Sequence, residues 1–142
     1  MKPKIVLMQG AWEIIHWGHI RCIKRAKKCG DYLIVALNTN KLLYKYKKRK
    51  AVLPFRDKKQ TLQAIRYVDE VVSAHEFSPL SLLKKHKANV FVVAAEWADT
   101  KEEEIAYMKS IGGRVVILPR YRGVTPTSEI KRRLLVEAQE GK

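Results

Sequence analysis

The sequence is short of cysteine, of acid and of long apolar runs. Only two of its 142 residues are cysteines, Cys22 and Cys29. They stand seven apart in what reads as one helix, about 10 Å along its axis and beyond disulfide reach. No CxxC or second cysteine pair is present, so a zinc centre is not expected, and no metal site is expected in the chain itself. Two reduced thiols in a core suit a reducing compartment. No apolar stretch approaches the roughly 20 residues that span a bilayer. The run behind Lys2 and Lys4 is only Ile5 to Met8, too short for a secretion signal. The expectation is a cytoplasmic protein with no membrane insertion. A GxSxG nucleophile motif is also missing, and neither cysteine ends a strand, so nothing points to covalent catalysis.

Acid is the scarcest commodity: 14 Asp and Glu face 29 Lys and Arg, for a formal charge of +15 and a pI near 10.0. The imbalance is one-sided along the chain. Through Arg66 there are 17 basic and 3 acidic residues, and after it 12 and 11. The first half therefore attracts anions, either a polyphosphate such as a nucleotide or the backbone of a nucleic acid. With 46% hydrophobic residues the chain can bury a core, and its length fits a single domain over residues 1–142.

What is present alternates. Lys4 to Gln9 and Asp31 to Leu37 are short β-branched runs of the kind buried in a parallel sheet. Between them Trp17 to Cys29 carries Ile20, Ile23 and Ala26 at helical spacing, and Gly30 stops it. Helices follow over Asp57 to Tyr67 and Ser78 to His86, with strands over Glu70 to Ser73, Val90 to Ala95 and Arg114 to Leu118. Thr100 is the expected cap of a helix opening with Glu102, Glu103 and Glu104, and Ser128 to Ala138 reads as a closing helix. Lys45 to Lys50 reads as a loop, and His75 and His86 as surface residues. Five strands alternating with helices predict an α/β fold, a Rossmann-like doubly wound domain with a mainly parallel sheet. In such folds ligands sit beyond the carboxyl ends of the strands.

The first strand ends in Gly10-Ala11-Trp12-Glu13-Ile14-Ile15-His16-Trp17-Gly18-His19. Two histidines three apart face the same side at the start of a helix, whose free N–H groups favour phosphate. Gly18 between them lets a phosphate approach the backbone. Imidazole N–H groups there can stabilise the charge that builds as pyrophosphate leaves.

His16-Trp17-Gly18-His19 resembles the HxGH signature of the nucleotidyltransferase superfamily, in the HWGH form of the glycerol-3-phosphate cytidylyltransferases. It is joined by Gly30-Asp31-Tyr32-Leu33, by Ile65-Arg66-Tyr67-Val68-Asp69-Glu70-Val71, by Val90-Phe91-Val92 ahead of Trp97, and by Leu118-Pro119-Arg120 leading to Gly123 and a Thr/Ser cluster. The resemblance implies transfer of a cytidylyl group from CTP to a phosphorylated acceptor, glycerol 3-phosphate first, with Mg2+ delivered on the nucleotide, and a homodimer. It implies catalytic roles for His16, His19, Lys48 and Arg120. Gly10, Ala11, Trp12, Gly18, Thr127 and Ser128 would bind nucleotide, and Arg66, Trp97, Glu96, Lys45 and Lys47 would bind the acceptor. The chain departs from the family pattern at Ala11 and Glu13, at Ala94-Ala95-Glu96, at Pro126, and at Lys58, which with Arg56 is a candidate for an expected arginine. These departures leave other substrate pairs open, such as ATP as donor with FMN or a sugar phosphate as acceptor. A third reading is a weakened nucleotide or RNA binder, with Tyr44 and Tyr46 among the lysines as stacking platforms.

Overall fold

The computed structural model describes residues 2–119 and 126–141. Five strands, β1 (Ile5–Gly10), β2 (Tyr32–Asn38), β3 (Glu70–Ala74), β4 (Val90–Ala94) and β5 (Arg114–Leu118), form one sheet in the order β3-β2-β1-β4-β5. Every pairing is parallel. The seven helices are α1 (Trp17–Lys27), α2 (Asn40–Lys47), α3 (Phe55–Gln63), α4 (Leu80–Lys85), α5 (Ala95–Ala98), α6 (Glu102–Ser110) and α7 (Thr127–Glu140).

The near-continuous apolar strands are explained by two cores. Val6 and Met8 of β1 face one side with Ile23 and Ala26 of α1 and Leu62 of α3. Leu7 faces the other side with Leu83 of α4 and Met108 of α6. Alternate residues of β4 divide the same way, Val90 and Val92 against Phe91 and Val93. A strand covered on both faces has no position for a polar residue.

Because all strands run one way, their carboxyl ends form one edge and their amino ends the other. The chain leaves β1 for β2 on one side, while β4 lies on the other, so strand order reverses beside β1.

Three expectations need correction. The lysine-rich stretch is not simply a loop, since Lys45 and Lys47 lie in α2. Thr39 caps that helix through an Oγ1 that accepts from Leu42 N at 3.1 Å, and Leu42 and Leu43 are buried beneath it. Two adjacent leucines outweigh the loop-like run of charge. Thr100 is not the cap of α6. Its hydroxyl donates back to Trp97 O at 2.7 Å, and Lys101 takes the cap position without a side-chain bond. Helix α3 ends at Gln63 rather than at Tyr67, which carries Arg66 past the helix toward the amino edge. Cys22 and Cys29 are half-buried free thiols beside the first core.

Gly30 turns the chain from α1 into β2 where a side chain has no room. A Cβ there would stand 2.7 Å from Val6 Cγ2 and 2.8 Å from Lys4 O. Backbone cannot yield as a flexible side chain does, so Gly30→Ala is expected to cost about 1–3 kcal/mol. The urea unfolding midpoint measures it, with the slope unchanged.

Candidate active site

The site is built at the carboxyl edge on the turn from β1 into α1. His16 is the N-cap of α1 and His19 occupies its third position. Each imidazole takes the other end's orphan amide. His16 Nδ1 accepts from Gly18 N at 3.0 Å, and His19 Nδ1 accepts from His16 N at 3.2 Å. This is a capping box made with histidines. A nitrogen that accepts from a backbone N–H carries no proton, so in each neutral ring the proton sits on Nε2. The rings lie 4.0 Å apart between centroids, which makes their two Nε2–H groups a preorganised pair of donors. His16 Nε2 is 2.9 Å from Thr127 Oγ1 at the start of α7 and donates to it.

Burial lowers the pKa of His16. It lowers that of His19 to about 4, with His16 adding to the effect. Both rings are therefore neutral near pH 7, where they act by donating hydrogen bonds rather than by carrying charge.

Trp12 lies in the turn at φ 49, a left-handed conformation uncommon outside glycine. Its ring is 7% exposed, its indole N–H donates to Ala36 O at 3.2 Å, and its edge meets His19 at 5.5 Å. The indole is thus part of the core that supports His19, and only its backbone remains for a nucleotide. Gly10 matters for the same ring, because a Cβ there would come 3.1 Å from Trp12 Cε2. Ala11 is half-buried beside them. Gly18 N, offered in the sequence as a phosphate donor, is held by His16.

Glu13 is the residue whose importance the sequence reading missed. It is 7% exposed. One carboxylate oxygen accepts from Val52 N at 2.6 Å, and the other pairs with Lys131 Nζ at 2.9 Å. Burial pushes its pKa up, but Lys131 and the Val52 amide pull it below the usual value. One carboxylate so ties the catalytic turn to the segment after α2 and to α7. The signal for Lys131 was available, since it lies four residues after Thr127 and hence on the same face of α7. Lys58, on α3, is 1% exposed, and its ammonium has no hydrogen-bond partner among the described residues. Burial lowers its pKa and Glu13 partly restores it.

Of the lysine run, Lys47 is the one drawn into this field. Burial, Arg49 and Lys131 lower its pKa, while Glu13 and Glu96 raise it. Lys48 is the left-handed C-cap of α2 at φ 58, and all three lysines, Lys45, Lys47 and Lys48, are exposed. No contact brings Lys45 or Lys48 to the histidines. Glu96 lies on α5, at the end of β4, and its charge is felt by Cys22 and Lys47. Trp97 follows it, 39% exposed, its ring centroid 6.0 Å from that of Phe77 in an edge-on arrangement. Phe77 in turn is 5.4 Å from Tyr46. These three rings follow the carboxyl ends of β2, β3 and β4, and at the end of β1 Gln9 Nε2 donates to Asn38 Oδ1 at 3.0 Å.

Thr127 is in the site, Ser128 is exposed one residue on, and Arg120 lies outside the described residues. Arg66 is not brought here. It follows the end of α3 and precedes β3, and its guanidinium donates to Tyr67 Oη at 3.0 Å and stacks on that ring. Lys24 and Lys28, from the end of α1, act on the same hydroxyl. That places Arg66 at the amino edge.

The low pKa of His19 has a consequence for stability. The unfolded chain binds this proton near 6.5 and the folded one near 4, so the contribution is complete above pH 6.5 and is lost as pH falls toward 4. His19→Gln should flatten this part of the acid destabilisation by roughly 2–3 kcal/mol. Paired urea titrations of parent and variant across that range measure the difference.

Comparison with known proteins shows the family and the fold. The family model described as cytidylyltransferase-like matches residues 7–133. The chain is 35% identical over 125 residues to a glycerol-3-phosphate cytidylyltransferase of Bacillus subtilis (strain 168), covering 87% of this chain and 92% of that one. It is 36% identical over 115 residues to an FAD synthase of Pyrococcus horikoshii, covering 80% and 77%. A crystal structure of a lipopolysaccharide core biosynthesis protein from Thermoplasma volcanium superposes with a TM-score of 0.70 at 20% identity, over 84% of this chain and 98% of that one, and shares the fold. With its histidine pair at the switch point of a five-stranded parallel sheet, the chain is a nucleotidyltransferase and belongs to the cytidylyltransferase-like family.

Proposed function

We propose that the enzyme transfers the cytidylyl group of CTP to glycerol 3-phosphate, giving CDP-glycerol and pyrophosphate. The observation that carries this reading is the pair of neutral imidazoles whose backbone bonds leave both Nε2–H groups as donors. The similarity over nearly all of a glycerol-3-phosphate cytidylyltransferase supports the choice of substrates.

The reaction requires little covalent chemistry from the protein. An oxygen of the acceptor phosphate attacks the α-phosphorus of CTP in line, the bond to the bridging oxygen breaks, and pyrophosphate takes the electron pair. Charge on that bridge and on the leaving phosphates is met by the two Nε2–H groups, with Lys47 and Lys131 supplying positive charge beside them. His16 gives up Thr127 Oγ1 for phosphate, and the hydroxyl is then a further donor. The triphosphate would arrive as its magnesium complex, which would offset part of its negative charge, and the residues named here meet the remainder. The acceptor lies toward Trp97 and Glu96, where the three-ring wall and Asn38 bound a small polar molecule.

Active enzyme is a homodimer in this reading. Support comes from apolar side chains left open among the described residues: Ile117 on edge strand β5, and Leu134 and Leu135 on α7, are 51%, 55% and 61% exposed. The cytoplasm is its place of action, in keeping with two free thiols. Among the described residues no helix is long and apolar enough to cross a membrane.

His16→Asn separates catalysis from capping, because asparagine is itself a good N-cap and lacks the outward Nε2–H. It should lower kcat by roughly 100- to 1,000-fold, and His19→Ala similarly, with His16→Asn leaving the unfolding midpoint nearly unchanged. Pyrophosphate release is measured with CTP or ATP against glycerol 3-phosphate, FMN and sugar phosphates. Release with CTP and glycerol 3-phosphate alone is the expected result. Release only with ATP and FMN would give the enzyme the chemistry of its FAD synthase relative, and none with any pair would remove the catalytic reading.

A further inference from the structure

We propose that the amino edge of the sheet, opposite the active site, is a docking surface for an anionic lipid bilayer. All five strands begin at this edge, and α1, α4 and α6 end there. The end of α1 brings exposed Lys24, Arg25 and Lys28, and the end of α4 brings exposed Lys84, Lys85 and Lys87. Arg66, Lys109 and Arg114 are exposed around them, as are Lys2 and Lys4 ahead of β1.

Only three acids share the edge, and each is engaged locally. Asp31 Oδ2 accepts from Lys4 N at 2.7 Å. Asp69 Oδ2 accepts from Leu33 N at 2.7 Å and pairs with half-buried Lys27 at 2.6 Å. Glu70 Oε1 accepts from Tyr32 Oη at 2.9 Å. Among the described residues no salt bridge joins the eleven exposed cations to a carboxylate. The result is a broad rim of positive charge.

Helix dipoles account for part of this, since cations stabilise the last turn of a helix. They do not account for Lys2, Lys4, Arg66 and Arg114, which stand in loops or at the starts of strands. Nor do substrate phosphates, which bind at the far edge.

The surface suits lipid better than nucleic acid. Single strands need several aromatic faces on which bases stack, and here the Tyr67 ring is covered by the Arg66 guanidinium, 5.0 Å from its centroid, the Tyr107 ring has Lys84 over it, and Tyr32, the exposed ring of this edge, is tied through its hydroxyl to Glu70. The edge instead offers Ile111, 49% exposed, in the turn before Gly112 and Gly113, with Lys109 on one side and Arg114 on the other. An apolar side chain ringed by cations enters the headgroup layer while the charges meet anionic lipid, and two such weak signals together give stable attachment. Docked this way, the enzyme keeps its carboxyl edge open to nucleotide and acceptor.

The test is co-sedimentation of the full chain with vesicles of phosphatidylcholine and phosphatidylglycerol, against phosphatidylcholine alone. Binding is expected only with the anionic lipid, and raised salt should release it. Each cation removed should weaken partition about fivefold, so the triple variant Lys28→Gln, Lys85→Gln, Lys109→Gln should lose about 100-fold while pyrophosphate release in solution stays unchanged. Ile111→Ser should weaken vesicle binding further. Equal partition on both vesicles, or full binding by the triple variant, would overturn the proposal. So would tight binding of single-stranded RNA by protein that leaves the vesicles alone, which would assign the edge to nucleic acid.

Discussion

The pair of backbone bonds accepted by the two histidine rings, His16 from Gly18 N and His19 from His16 N, is the constraint on which the candidate site depends. One pair of contacts does three things. It satisfies two amides that would otherwise be orphaned at the start of α1, it sets the tautomer of both rings, and it holds their remaining donors toward the carboxyl edge. Because each ring accepts from backbone, its orientation is as rigid as the helix. Preorganised donors of this kind cost little reorganisation when charge develops in front of them. The Trp12 indole, buried behind His19 and bonded to β2, keeps that ring from turning inward.

Around this pair the charges are arranged by one acid. Glu13 reaches the Val52 amide on one side and Lys131 on the other, so the segment after α2 and helix α7 are both referenced to the turn that carries the histidines. The charge of Glu13 is felt by Lys58 and Lys47 as well as by Lys131, so a single carboxylate balances several cations. The surplus positive charge beside it is the complement of a triphosphate. An ammonium buried without a partner is costly in a molecule that needs only stability, and Lys58 persists where its field adds to that of the site.

The parallel sheet also gives the molecule two ends of different character. At the carboxyl edge, cations are interleaved with Glu13, Glu96, histidines and aromatic rings, which suits recognition of small phosphorylated molecules. At the amino edge they stand in the open, with local acids consumed by backbone N–H groups and hydroxyls. The same basic composition, divided by strand direction, gives a reaction centre at one end and an adhesive surface at the other.

Much of this was written in the sequence, for physical reasons. Apolar runs separated by amphipathic stretches specify a doubly wound sheet, because each strand must be covered on both faces. The three-residue spacing of His16 and His19 at a helix start specifies that they meet. What local pattern did not reveal was long-range pairing. That Glu13 joins Lys131, 118 positions away, that Trp12 faces the core, that Lys47 and not Lys48 enters the field of the site, and that Arg66 stands at the far edge all follow from how α2, α3 and α7 dock on the sheet. The sequence by itself determined the five strands, most of the helices though not α2 or α5, and the histidine pair, since these rest on contacts within a few residues. Only the tertiary structure decided which charges share a space, because that depends on distances between segments the chain brings together last.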